Sequence, residues 1–217
     1  MERKIDRNIG FAKDYGEKIE EYLTKGYIRK LDVTEAEKGG PRTWYVPHFG
    51  VTNHYKPGKL RLVFDAAAKS NGVSINDHLL QEPDLLQNLK SILWKFRQKT
   101  IAFCSDIRDM FHQVLIREEN CSAQRSFWRG MDRSRQPDIH EMKVMTFGAI
   151  FSKFPEIARA IIDKHYVDDY LDSAETEEEA IQLILEVIKI HEKAGFEIRN
   201  WISNSQKVID KIPVNLR

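Results

Sequence analysis

Three aspartates carry the strongest chemical signal in this sequence. Asp168 and Asp169 are adjacent in Tyr166-Val167-Asp168-Asp169, a run that predicts a hairpin turn between two apolar strands. Asp106 ends a second apolar run, Ile101-Ala102-Phe103-Cys104-Ser105-Asp106, which reads as a mostly buried strand. If the two strands are neighbours, the three carboxylates converge on one edge of a sheet. Like charges so placed repel: at an effective dielectric of about 20, a pair about 4 Å apart costs on the order of 4 kcal/mol. Such a cluster must take up protons or bind cations, and hard carboxylate oxygens favour Mg²⁺. Two such ions, roughly 3.5 to 4 Å apart, can activate an attacking 3′-hydroxyl and stabilise a leaving pyrophosphate. Spacing alone also admits a plainer reading, in which Asp168 and Asp169 are turn residues and Asp106 caps the following turn.

The elements that must position these residues follow from hydrophobic periodicity. Tyr15, Ile19, Tyr22, Leu23 and Tyr27 fall near helical spacing between Asp14 and Lys30, with Gly26 as a stop signal. Residues 35–41 read as a loop, and 44–47 and 60–64 as strands, the second entered through Pro57-Gly58. Residues 79–98 are mainly helical, with Pro83 near the start. A hairpin pairs 124–128 with 140–146, and a short helix starts at Pro155. Ser173 is placed to cap a helix reaching Ala194, with Glu177, Glu178 and Glu179 facing the positive dipole end. Gly195 ends it, and 196–202 alternate as a strand. This order implies an α+β fold with helices covering one face of an antiparallel sheet.

Composition narrows the function classes. The chain has 217 residues, 34 Lys and Arg against 33 Asp and Glu, and a net charge of +1. That length fits one large domain or two small lobes, and 41% apolar residues can bury a core. Two cysteines, Cys104 and Cys121, exclude a disulfide framework and a Cys-rich zinc site. With a polar start and no apolar run of about 20 residues, an intracellular protein, cytoplasmic or nuclear, is expected rather than a secreted or membrane one. Balanced charge excludes a wholly basic nucleic-acid binder but hides a local stripe: Arg42, Lys56, Lys59 and Arg61 precede Asp65, with no other acid between. No Gly-rich phosphate loop, His-Glu-x-x-His pattern or calcium loop is present. His112 and His165 sit beside the motifs without an evident metal-binding partner.

Residue identities favour the catalytic reading. From about Leu23 to Ile209 the chain resembles the reverse transcriptase of Pao/BEL-type long-terminal-repeat retrotransposons. The matching runs are Lys56-Pro57-Gly58-Lys59-Leu60-Arg61-Leu62-Val63-Phe64-Asp65-Ala66-Ala67-Ala68, Asn76-Asp77-His78-Leu79-Leu80-Gln81, and Phe103-Cys104-Ser105-Asp106-Ile107-Arg108-Asp109-Met110-Phe111-His112-Gln113-Val114. Two more follow, His165-Tyr166-Val167-Asp168-Asp169-Tyr170-Leu171-Asp172 and Gly195-Phe196-Glu197-Ile198-Arg199-Asn200-Trp201. The resemblance implies a right-hand polymerase with fingers, palm and thumb, and an RNA-directed DNA polymerase using two Mg²⁺ ions, a template-primer of RNA or DNA and deoxynucleoside triphosphates. It makes Asp106, Asp168 and Asp169 the catalytic, metal-binding carboxylates, with the Ile107 carbonyl as a further ligand. Phe111 then stacks under the incoming sugar, Lys59 and Arg61 contact the triphosphate, Gly148 lies on the template side, and Tyr166 belongs to the substrate-binding turn. On residue type alone, Phe111 could be a core aromatic and Lys59 and Arg61 a solvated strand face.

The sequence also departs from that pattern. Where the family continues Phe-Gly-Ala, two variable residues and Ser-Pro, this chain has Phe147-Gly148-Ala149-Ile150-Phe151-Ser152 followed by Lys153. On the order of one to two dozen family residues are missing before the Tyr-x-Asp-Asp strand, equal to about 15 to 35 Å of helix. The expected organisation is a helical lead-in (1–40), fingers-like segments (41–95 and 117–145) and palm-like segments (96–116 and 146–210), shortened between 153 and 165 and without a thumb. The alternative to an active fragment is a non-catalytic one that at most binds nucleic acid.

Overall fold

The computed structural model describes residues 1–52, 59–79, 88–146 and 164–217. In chain order, α1 (Glu2–Arg7), α2 (Ile9–Thr24), β1 (Ile28–Lys30), α3 (Val33–Glu37), β2 (His48–Thr52) and β3 (Leu60–Phe64) come first. Then follow α4 (Leu89–Phe96), β4 (Ile101–Ile107), α5 (Glu118–Cys121), β5 (Arg125–Trp128) and β6 (Asp138–Met142). The chain continues with β7 (His165–Tyr166), β8 (Asp169–Ala174), α6 (Glu177–Lys193), β9 (Ile198–Ser203) and α7 (Gln206–Lys211). These elements form two compact units, Met1–Gln81 with Val114–Phe151, and Glu82–Gln113 with Ser152–Arg217.

The first unit is built on α2. Asn8 caps it by accepting from the Phe11 amide at 2.9 Å, and its buried stripe Phe11, Tyr15, Ile19, Tyr22 repeats at helical spacing. The helix starts earlier than residue 14 because of that cap, and it stops at Thr24, before Lys30. Gly26 takes φ +70, and the chain leaves as β1 to pair with β6. Gly50 lets β2 approach α2: a Cβ there would lie 2.9 Å from the Tyr15 ring and 3.0 Å from Phe11 and Leu60. Strands β2 and β3 pair antiparallel, turning Leu60, Leu62 and Phe64 into the core, and a second sheet has the order β1-β6-β5.

Two short elements depart from expectation for local reasons. The loop expected at 35–41 begins as α3, because Asp32 and Glu35 close a reciprocal capping box. The strand expected at 44–47 is a single bridge from Tyr45 to Arg125, and the paired strand begins at His48.

The second unit is a four-stranded antiparallel sheet, β7-β8-β4-β9, with α6 packed on one face. Phe103 of β4, Tyr170 of β8 and Trp201 of β9 meet Ala180, Ile184 and Ile188 of α6 in one buried cluster. The cap of α6 is Thr176, accepting from the Glu179 amide, rather than Ser173. Ser173 stays in β8, where its hydroxyl donates to the Lys95 carbonyl. The helix expected at 79–98 is described as α4 over its last part; Pro83, Pro57-Gly58 and the helix expected from Pro155 lie outside the described residues. Among the described residues no helix is long and apolar enough to cross a membrane.

Candidate active site

Strand alternation aims Asp106. In β4, Phe103, Ser105 and Ile107 are buried in the core while Cys104 and Asp106 stand on the opposite face. The antiparallel register sets Asp106 directly across from Asp169, and Cys104 across from Leu171. Directly opposed residues share one face of a sheet, so the two carboxylates are neighbours.

Asp168 is fixed by its backbone. Its carbonyl accepts from the Ile107 amide at 2.8 Å, tying the turn to the end of β4. Tyr166 and Asp169 close the hairpin, leaving Val167 and Asp168 as its central residues. Val167 sits at φ +59, the left-handed region that hairpin turns ordinarily fill with Gly and where a β-branched residue is strained. The turn is therefore held in its conformation by the strands around it.

The electrostatics follow from this crowding. Partial burial, then the neighbouring Asp168 and Asp106 charges, push the Asp169 carboxyl above its ordinary value. Asp106 has one neutral partner: the Asn200 amide donates to its Oδ1 at 2.6 Å. Among the described residues, no three His, Cys, Asp or Glu side chains are gathered closely enough to constitute a metal site by themselves. The donor set nevertheless fits a hard divalent cation, because all its donors are carboxylate oxygens and their mutual repulsion is what a cation relieves.

Other expected site residues are distributed as follows. Phe111 is half-buried in a short turn of helix, Met110–Gln113, directly after β4. That turn is latched to the start of β9: the Arg108 guanidinium pairs with Glu197 at 2.9 Å, and the Glu197 amide donates to the Gln113 side chain at 2.9 Å. Lys59 and Arg61 are exposed in the first unit, Arg61 opposite Val51 on the outer side of the β2–β3 hairpin. Gly148 lies outside the described residues. Sequence reasoning missed Asn200 and the Arg108–Glu197–Gln113 latch; the available signal was a polar Asn inside an otherwise alternating strand, where Asn is disfavoured.

The fold is similar to that of reverse transcriptases. Among solved structures, the chain is similar to the foamy virus protease-reverse transcriptase in complex with double-stranded DNA, with a TM-score of 0.67 and 20% identity, covering 88% of this chain and 31% of that one. A selenomethionine-labelled mutant of the prototype foamy virus protein gives 0.66 and 18%, over 88% and 24%. The foamy virus protein in complex with an RNA/DNA hybrid gives 0.62 and 19%, over 83% and 22%. The chain thus spans less than a third of the length of each of these proteins. No protein-family model and no curated protein matches the sequence.

Proposed function

We propose that the chain is a fingers-and-palm portion of a Pao/BEL-type retroelement reverse transcriptase and that its chemistry is RNA-directed DNA synthesis. The observation that supports this best is the pairing of Asp106 with Asp169 beside Asp168 in a strained Tyr-x-Asp-Asp turn. Asp106, Asp168 and Asp169, with the Ile107 carbonyl, would hold two Mg²⁺ ions. When bound, such ions would lower the proton affinity of a primer 3′-hydroxyl and neutralise charge on the departing pyrophosphate. Lys59 and Arg61 would bind the triphosphate of an incoming deoxynucleotide, Arg61 as a bidentate fork and Lys59 as a point charge. Phe111 would stack under the sugar, Tyr166 would back the substrate side of the turn, and Gly148 would let the template backbone approach. In this reading the first unit supplies fingers and the second supplies palm.

Primer extension on a poly-A template with Mg²⁺ tests the proposal. Extension is expected for the wild-type chain and its loss in Asp168→Asn and Asp106→Asn; extension at the wild-type rate in either variant refutes the assignment. A second reading, nucleic-acid binding without turnover, is favoured by the lack of a closed three-ligand cluster among the described residues. It predicts template binding that weakens steeply with salt, as neutralised phosphates release counterions, and no extension by the wild type.

A further inference from the structure

Strand β9 does not pair regularly with β4. Asp106 is matched with Arg199 and Cys104 with Ile202, so two residues, Asn200 and Trp201, stand opposite the single residue Ser105. This is a β-bulge, and Asn200 occupies it at φ +57, a position that Gly ordinarily takes and that Asn tolerates best among the other residues. The extra residue changes which way the strand faces. Trp201, 3% exposed, turns into the core with Phe103 and Tyr170, while Asn200 stays exposed on the side of Asp106.

There its Nδ2 donates to Asp106 Oδ1 at 2.6 Å. The opposite amide orientation would set two acceptors against each other. A donor at this distance from a carboxylate is a charge-assisted hydrogen bond, which restricts rotation of the acid and occupies one of its oxygens. Because the amide is neutral, the negative charge of the cluster is not diminished. Arg199 stands opposite Asp106 in register, and its Nε is buried without a hydrogen-bond partner.

We propose that Asn200 is a positioning residue for divalent cation binding: its amide pins one oxygen of Asp106 and leaves the other for the metal. This rests on the metal-dependent reading given above. Groups that orient ligands in this way typically contribute roughly 10- to 100-fold to metal affinity.

The test is a Mn²⁺ titration followed by electron paramagnetic resonance, on the wild-type chain, Asn200→Gly and Asp106→Asn, with a metal-free thermal melt of each. Glycine suits φ +57, so Asn200→Gly should melt with the wild type while its Mn²⁺ dissociation constant rises about tenfold or more. Unchanged Mn²⁺ affinity in Asn200→Gly, beside weakened binding in Asp106→Asn, overturns the role of Asn200 and leaves the carboxylate site intact. Unchanged affinity in Asp106→Asn overturns the carboxylate reading and this inference with it. A second measurement needs no Asn200 variant: the Asn200 side-chain amide proton signals should differ between the wild type and Asp106→Asn. Identical signals also overturn the proposal.

Discussion

In the first unit, Arg125 and Glu141 are buried at 5% and 4% exposure, and both are partnered. The Arg125 Nε donates to Glu141 at 3.2 Å, and its terminal nitrogens donate to the carbonyls of Glu35, Ala36 and Lys38. Glu141 also accepts from Arg29 at 2.9 Å. In the second unit, the hairpin β7–β8 gathers Asp168 and Asp169 against Asp106, holds Val167 in the left-handed region, and begins with His165, whose two ring nitrogens are buried without a hydrogen-bond partner. The second unit can satisfy a buried acid: Asp172 accepts from the Tyr170 hydroxyl at 3.0 Å and pairs with Lys164. Buried polar atoms without a partner occur in both units, His140 Nδ1 and Gln124 Oε1 in the first among them, but the crowding of like carboxylate charge is at the aspartate hairpin. Partnered charge fixes structure, and concentrated unpartnered charge marks where a ligand would act.

The largest test of this contrast is Arg125→Met. It leaves Glu141 buried with only Arg29 beside it and should lower unfolding free energy by about 3 kcal/mol, near the low end for a broken buried pair. Urea denaturation measures it, and a loss below about 1 kcal/mol would mean that the network is not what anchors the first unit.

A smaller effect is expected from pH on the second unit. Burial, and then the neighbouring His191, push His165 from its ordinary 6.5 down to about 3. A depressed histidine stabilises the fold above its unfolded pKa, and that contribution is lost as pH falls from about 6.5 toward 3. Between pH 7 and pH 5 the loss is about 2 kcal/mol. The variant His165→Phe should flatten that part of the stability profile. An unchanged slope would place the origin of the pH dependence elsewhere, with His48, His140 and His191 the other histidines among the described residues whose pKa is depressed by burial.

The contrast also explains what the sequence made legible. Strand β3 was readable because its alternation agrees with the final burial. The β5–β6 hairpin was readable from the polar loop between its strands, although it begins its second strand at Asp138 and turns Arg125 and Glu141 inward and Phe127 outward. Asp106 and Asp169 were placed by the ends of apolar runs. Local hydrogen bonds decided what was missed: the Asp32–Glu35 box made a helix from an apparent loop, and Thr176 displaced Ser173 as a cap. The Asn200 contact was illegible for a different reason. It depends on a one-residue register shift between strands separated by 94 positions in sequence, and periodicity within either strand does not encode pairing between them.

The smallest effect isolates the hairpin itself. Asp169 has its carboxyl raised above the ordinary 3.8, first by partial burial and then by Asp168 and Asp106. A raised acid stabilises the fold only while protonated, below its unfolded pKa, and that contribution is lost as pH rises through the folded value. At neutral pH the ionised form therefore costs stability, and Asp169→Asn should raise the melting temperature of the metal-free chain. Asp169 is exposed, so solvent screens the repulsion and the gain should be on the order of 0.5 kcal/mol, about 1 to 2 °C. The difference should shrink in high salt, vanish below about pH 3.8 and, on the metal-binding function proposed above, reverse on adding millimolar Mg²⁺, since a ligand of the folded state would stabilise the wild type. If Asp169→Asn melts below the wild type at pH 7 without metal, this carboxylate is already satisfied within the fold, and the contrast with the ion-paired first unit disappears at the residue where it should be clearest.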